Sequence, residues 1–259
     1  MAKMKKIITA GPLVKEVVYP IVYSHDTPRV RAGKRRVSSE AQQRMNLIYS
    51  WQKLEFMLAA NYLPGDLVIV LTYDDAHLPR NRAEATAKLK YFRAKLAAAR
   101  RSRGKNLVMF WNEEHLHRSA DHMENKRWHH HIVVNSTGND YEELSKAWGQ
   151  GKVLVEKLRV DKEKNYETLA RYMCKEARDK PGQRSWSYTR TAKKPEVESF
   201  RVPDDTTVAA PKGSTLLEED SSRTEFGSYR YIKYLAAGWE ITKISPRRRA
   251  KRRRRRARS

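Results

Sequence analysis

This sequence has little cysteine, no long apolar run and no phosphate-binding loop, and each absence excludes a class of protein. Cys174 is the single cysteine, so an internal disulfide is excluded and we expect a reducing compartment, the cytoplasm. No apolar run approaches the length of a membrane span, and residues 1–6 lack the apolar stretch of a secretion signal. Because no glycine-rich loop ends in Gly-Lys-Ser or Gly-Lys-Thr, a fused helicase is not expected.

Acidic residues are scarce relative to basic ones, which indicates a polyanionic partner. The 259 residues include 54 Lys plus Arg against 30 Asp plus Glu, a formal net charge of +24. Ten of the positive charges lie in residues 247–259, which leaves +14 for the rest of the chain. We therefore expect nucleic acid as the partner, and a disordered basic tail over residues 246–259 that contacts phosphates without reading sequence.

Apolar spacing and turn signals predict a chain of alternating strands and helices. The predicted elements are a helix from Ser39 to about Ala60, a strand Leu67–Tyr73, a helix Asn81–Arg103, a strand Asn106–Asn112, a histidine strand ending at Asn135, a short helix to Trp148, a strand Lys152–Leu158 and a helix Lys162–Arg178. From Leu67 this order is β-α-β-β-α-β-α. It fits an antiparallel sheet with helices on one face, in the α+β class.

Four regions follow from this pattern. Residues 1–66 form an N-terminal extension with a helix, residues 67–201 the main domain, residues 202–245 a C-terminal segment that packs on it, and residues 246–259 the tail. Within the third region the aromatic stretch from Tyr229 to Trp239 predicts a last helix, with stacking on unpaired bases as the alternative use of its rings.

Three consecutive histidines run into the apolar strand that ends at Asn135. Since strand side chains alternate between faces, His129 and His131 point one way and His130 the other. Two imidazoles on one face could share a divalent cation, because neutral imidazole is the commonest side-chain metal ligand. The alternative is a solvated edge strand that happens to be rich in histidine.

A carboxylate at the end of the neighbouring strand would complete such a site. Glu113 is preferred to Glu114, but alternation does not fix the register when both faces of a strand are apolar, so the second residue stays an alternative. Two imidazoles and a carboxylate with open positions suit Mg²⁺ or Mn²⁺. A zinc site that uses His115, His117 or His122 is the other possibility, although no cysteine pair accompanies it.

The predicted helix over 162–178 carries a tyrosine away from its apolar stripe. Tyr172 lies about 120° from the middle of that stripe, with Lys175 on the same side of the helix. Taken alone, this is an amphipathic surface tyrosine beside a solvated lysine. Combined with a metal site, the hydroxyl of Tyr172 could attack a polarised phosphodiester while Lys175 stabilises the developing charge.

These motifs resemble those of rolling-circle replication initiators of the HUH endonuclease superfamily. The resemblance rests on Leu71-Thr72-Tyr73, then His129-His130-His131, then Tyr172-Met173-Cys174-Lys175. More narrowly, the chain is similar to initiators of small single-stranded-DNA phages and related plasmids or prophages, over roughly residues 67–201. Some relatives carry a second tyrosine four residues before the nucleophile, where this chain has Thr168, so the single-tyrosine kind is implied.

The resemblance implies an activity, a site and a set of partners. Tyr172 would be the nucleophile and His129, His131 and Glu113 the ligands of Mg²⁺ or Mn²⁺. The enzyme would nick single-stranded origin DNA, such as a stem-loop, and leave a 5′-phosphotyrosine and a free 3′-hydroxyl, in the cytoplasm of a bacterial host that supplies helicase and polymerase. The rival hypotheses are a basic module that binds single-stranded nucleic acid without cutting it, and a transposase or relaxase of the same chemistry.

Overall fold

The computed structural model describes residues 3–21, 40–118, 123–161, 165–175, 184–224 and 227–238. The strands are β1 (Lys3–Ala10), β2 (Leu13–Pro20), β3 (Leu67–Thr72), β4 (Met109–Arg118), β5 (Met123–Val134), β6 (Val153–Lys157), β7 (Ser187–Tyr188), β8 (Glu196–Val202), β9 (Thr215–Thr224) and β10 (Gly227–Leu235), and the helices are α1 (Glu40–Asn61), α2 (Arg82–Arg101), α3 (Asp140–Trp148) and α4 (Glu167–Cys174). Among these helices none has the length and apolarity needed to span a membrane. Ser39 and the basic tail lie outside the described residues.

The main domain is built on a five-stranded antiparallel sheet with strand order β6-β3-β5-β4-β7. The histidine strand β5 lies at its centre, between β3 and β4. This arrangement confirms the predicted α+β class and the antiparallel sheet. Its central strands are rich in β-branched and apolar residues, as expected for strands that are covered on both faces.

Helices cover both faces of this sheet rather than one. On one face α2 and α3 pack over Ile69, Ile132 and Met109. On the other face α1 and α4 pack over Val133 and Phe110. The prediction of helices on one face therefore describes α2 and α3 only, because the partners of α1 and α4 could not be read from their own apolar stripes. The second helix pair frames the side of the sheet to which His129 and His131 point.

A second antiparallel sheet, with strand order β8-β1-β2-β10-β9, joins strands from the first 20 residues to strands from residues 196–235. The hairpin β1–β2 comes from the predicted N-terminal extension, while β9 and β10 come from the C-terminal segment. The predicted last helix over Tyr229–Trp239 is wrong, since Gly227–Leu235 forms strand β10. Its pairing with β2, more than 200 residues away, overrides local helix preference.

The helix that carries Tyr172 is shorter than its sequence pattern predicts. It begins at Glu167, where the side chain of Asn165 accepts a hydrogen bond from the Glu167 backbone N–H at 3.2 Å. Asp161 in turn accepts from the Asn165 backbone N–H at 3.0 Å. These bonds fix a turn before the helix, so the predicted start at Lys162 is too early; residues 162–164 and 176–183 lie outside the described part of the chain.

Candidate metal and nucleophile site

Strand register places a carboxylate directly across from one of the histidines. In the antiparallel pair β4–β5, Glu114 lies opposite His129 and Asn112 lies opposite His131. Residues opposite each other in a ladder point to the same face, so all four side chains share the face covered by α1 and α4. The register shifts directly after Glu114, between it and Leu116, so the regular pairing ends at the site.

The side chains of Glu114, His129 and His131 converge on one point. Oε2 of Glu114 lies 3.0 Å from Nε2 of His131 and 3.6 Å from Nε2 of His129. One ligand atom from each of the three residues lies within 4.8 Å of the others. Two imidazole nitrogens and a carboxylate oxygen at this spacing form a set of ligand atoms that could hold a metal ion, without identifying the metal.

The backbone orients His129 for such a role. Its Nδ1 lies 2.9 Å from the carbonyl oxygen of Arg127. Because a carbonyl only accepts hydrogen bonds, Nδ1 must carry the proton and donate it, which leaves the lone pair on Nε2. Metal-binding histidines are commonly oriented by a bond of this kind from the second ring nitrogen.

Glu114 is held in its ionised form. Burial raises the pKa of this carboxyl group, but the close approach of His129 and His131 and the positive charge of Lys175 outweigh burial. The pKa of Glu114 is therefore well below its ordinary value, even though only 1% of the residue is exposed. A carboxylate that stays charged at neutral pH is the form that binds a cation.

Helix α4 brings the predicted nucleophile to the same point. The hydroxyl of Tyr172 lies 3.2 Å from Nε2 of His131, and the two rings meet edge to face with centroids 4.9 Å apart. Nζ of Lys175 lies 3.6 Å from Oε1 of Glu114 and 3.8 Å from the centroid of the Tyr172 ring. Tyr172 is 41% exposed. The site therefore pairs a largely buried ligand group with a tyrosine that is partly exposed.

The choice of Glu113 as the third ligand needs correction. Its side chain lies on the opposite face of the sheet, where Thr86 Oγ1 donates to its two oxygens at 3.0 and 2.9 Å. Arg82 lies 3.6 Å from the same carboxylate. Glu113 is opposite His130 in the ladder, so it faces the α2 side, and Glu114 occupies the position next to the two histidines. Register decides between the two residues.

His130 belongs to the core. It is fully buried, and its Nε2 lies 2.6 Å from the hydroxyl of Tyr73. Burial lowers the pKa of His130 to about 3, so the ring stays neutral. The middle histidine thus packs behind the site. The zinc alternative is not assessed by the structure, because His122 and the side chains of His115 and His117 lie outside the described residues.

Sequence reasoning missed one polar residue on the face of the site. Asn112 is buried in β4, and its Nδ2 donates to the backbone carbonyl of Met173 in α4 at 3.0 Å. The available signal was alternation, since Asn112 lies two residues before Glu114 and must share its face.

Comparisons with known proteins add no assignment to this geometry. No protein-family model, no curated protein and no solved structure matches the chain.

Proposed function

We propose that this protein is a metal-dependent, single-tyrosine DNA nicking and joining enzyme that initiates rolling-circle replication. The observation that carries the proposal is the hydroxyl of Tyr172, 3.2 Å from Nε2 of His131 in a group that also contains Glu114 and His129. A binding module needs neither this convergence nor a partly exposed tyrosine beside it. The resemblance of the three motifs to HUH initiators supports the same assignment.

The proposed step is a transesterification. The phenolic oxygen of Tyr172 forms a bond to phosphorus as the bond from phosphorus to the 3′ oxygen breaks. The phenolic proton is lost and the departing 3′ oxygen gains a proton, which leaves a 5′-phosphotyrosine and a free 3′-hydroxyl. Because one phosphodiester replaces another, the reverse reaction can rejoin the strand.

Each of the other residues of the site has its own role in the proposed reaction. Glu114, His129 and His131 would hold Mg²⁺ or Mn²⁺, which when bound supplies Lewis-acid polarisation of the scissile phosphate. Lys175, with its ammonium group 3.8 Å from the centroid of the Tyr172 ring, would stabilise negative charge on the phosphate oxygens. His131, edge to face with the tyrosine, would limit its rotation.

The substrate and setting follow from charge and resemblance. The net charge of +24 favours a polyanion. We propose single-stranded origin DNA with a stem-loop as substrate, a bacterial cytoplasm as compartment, and a helicase and polymerase of the host as partners.

The direct test is covalent trapping of labelled single-stranded DNA. A pool of stem-loop oligonucleotides is incubated with Mn²⁺ or with EDTA, and protein–DNA adducts are resolved by denaturing electrophoresis. We expect an adduct that requires Mn²⁺ and that falls by more than about 1,000-fold in Tyr172→Phe. Tyr141→Phe, which alters an exposed tyrosine of α3, is the matched control and should react like wild type. If wild type binds the stem-loop oligonucleotides but never becomes joined to them, the hypothesis of a binding module replaces that of a nuclease.

A further inference from the structure

The position of Tyr172 must be fixed by contacts outside its own helix. Helix α4 has eight residues, and isolated helices shorter than about 12–15 residues are marginal in water. Its buried residues Ala170, Met173 and Cys174 pack against α1 and the central sheet. Apolar packing is non-directional, so it holds the helix against the sheet without defining the height of Tyr172 above the ligand group.

Asn112 makes a directional contact next to that tyrosine. Its Nδ2 donates to the carbonyl oxygen of Met173 at 3.0 Å, in a buried setting. The last four carbonyls of a helix have no partner within the helix, so a side chain that binds one of them fixes the position of the last turn. Met173 directly follows Tyr172, and the bond therefore acts within one residue of the proposed nucleophile.

The same side chain belongs to the strand that carries Glu114. Asn112 is two residues before Glu114 on β4 and is opposite His131 on β5. Tyr172 contacts His131 through its hydroxyl, while Met173 contacts Asn112 through its carbonyl. Helix α4 is therefore tied to strands β4 and β5 by two neighbouring contacts. The distance from the Tyr172 hydroxyl to the His131 ring then depends on the bond that the Asn112 amide makes to Met173.

Packing alone would not select an amide at this position. Asn112 is 2% exposed, and its Oδ1 is buried with no hydrogen-bond partner among the described residues. An unpaired buried acceptor costs free energy that an apolar side chain of similar volume would avoid. The amide therefore stabilises the fold poorly, while its other end makes the bond that orients α4.

We infer that Asn112 is a positioning residue for the nicking reaction, holding Tyr172 over Glu114, His129 and His131 through the carbonyl of Met173. This inference rests on the proposed function for its kinetic consequence. If Asn112 positions Tyr172, loss of the Asn112 amide should slow formation of the covalent adduct and leave the affinities for metal and DNA unchanged. A purely structural role would instead lower stability without a selective effect on that step.

The test compares Asn112→Leu with wild type and with Leu96→Ala. The first variant removes the donor and keeps a similar volume, whereas the second creates a cavity under α2, on the opposite face of the sheet. Single-turnover adduct formation is measured at saturating Mn²⁺ and DNA, and binding of each is measured separately. We expect Asn112→Leu to slow adduct formation by roughly 10- to 100-fold, since small misplacement of a reacting group costs that much. Binding should change by less than about twofold, because Asn112 is not one of the three residues of the ligand group.

Hydrogen exchange supplies a readout that does not depend on activity. In the metal-free protein, amides of residues 166–175 should exchange roughly fivefold faster in Asn112→Leu, the factor for one net hydrogen bond, while those of α2 stay at the wild-type rate. Leu96→Ala should show the reverse pattern and retain the wild-type adduct rate.

The outcomes separate the two proposals. If wild type forms no adduct, the proposed function fails, and exchange alone then decides whether Asn112 holds the helix. If wild type reacts and Asn112→Leu reacts equally fast, or loses metal and DNA binding in proportion, the inference is overturned.

Discussion

Each end of helix α4 lies beside a cluster of charged and titratable residues, and the two clusters differ in composition. Near its last turn, Tyr172 and Lys175 adjoin the ligand group of Glu114, His129 and His131. At its first turn, Glu167 binds Lys233 of the second sheet at 2.7 Å. Both clusters contain acidic residues, yet only the first brings two imidazoles and a carboxylate to one point.

The cluster at the first turn is built around a cation that the protein itself supplies, the ammonium group of Lys233. Nζ of Lys233 lies 2.7 Å from Glu167, 3.2 Å from Glu218 and 3.5 Å from Glu55. An ammonium group has three protons, so each carboxylate can receive one. Lys233 and Glu55 are buried, and the four residues come from α1, α4, β9 and β10. This cluster therefore ties the second sheet to α1 and to the helix of the proposed nucleophile.

The difference teaches what distinguishes a candidate metal site from a structural ion cluster. Around Lys233 the cation is a side chain, and it is surrounded by carboxylates. Around Glu114 two imidazoles and a carboxylate oxygen face each other, and the nearest ammonium, Lys175, contacts the other oxygen. The convergence of two imidazole nitrogens with a carboxylate oxygen, more than the number of charged residues, marks the site.

Lys233→Met should give the largest effect on stability. Removal of the ammonium group leaves the buried carboxylate of Glu55 uncompensated, which costs about 3–5 kcal/mol. We expect the free energy of unfolding to fall by that amount in urea titrations, while Mn²⁺ affinity of the folded protein stays within about twofold. Lys5→Met breaks the pair with Glu16, whose buried carboxylate keeps its hydrogen bond from the Tyr234 hydroxyl, and should cost less, about 1 kcal/mol. Equal losses in the two variants would contradict the structural role of Lys233.

Glu114→Gln should weaken metal binding next most strongly. Changes to groups that only orient a ligand cost 10- to 100-fold in metal affinity, so loss of a ligand carboxylate should exceed about 100-fold, as measured by Mn²⁺ titration calorimetry. Glu113→Gln is the matched control on the opposite face and should change affinity by less than about twofold. If the two variants weaken binding equally, the assignment of the ligand face is wrong.

The smallest effect over a single pH unit concerns the pH dependence of stability. Burial and the negative charges of Glu167 and Glu218 together raise the pKa of Glu55 to about 7, although the positive charge of Lys233 opposes the shift. Lys15 of β2 also lies near this group. Since the folded state binds the proton more tightly than the unfolded state, the contribution to stability is full below about pH 4.5 and is lost as pH rises through 7.

Comparison of wild type with Glu55→Gln isolates this contribution. Between pH 4.5 and 7 the free energy of unfolding of wild type should fall relative to the variant, by at most about 1.4 kcal/mol per pH unit. Chemical denaturation at four pH values would measure the slope. Parallel curves would mean that Glu55 is ionised throughout, and the contrast between the two clusters would then rest on geometry alone.

Local pattern was sufficient for several parts of the molecule. The period of two along β5 predicted that His129 and His131 share a face and that His130 does not, and the structure confirms it. Helical spacing predicted that Tyr172 lies off the apolar stripe of its helix, and that residue is partly exposed. Both properties depend on the geometry of one element, which the order of its residues specifies.

Other features were decided by contacts between distant parts of the chain. The choice between Glu113 and Glu114 depends on register, because one residue of slip reverses every side chain and both faces of β4 are covered. The aromatic segment after Gly227 became a strand because β2 offered a partner. Asn112 acquired its bond only when α4 packed on the sheet. Sequence order thus sets the face of each side chain within an element, whereas only tertiary pairing determines which faces meet.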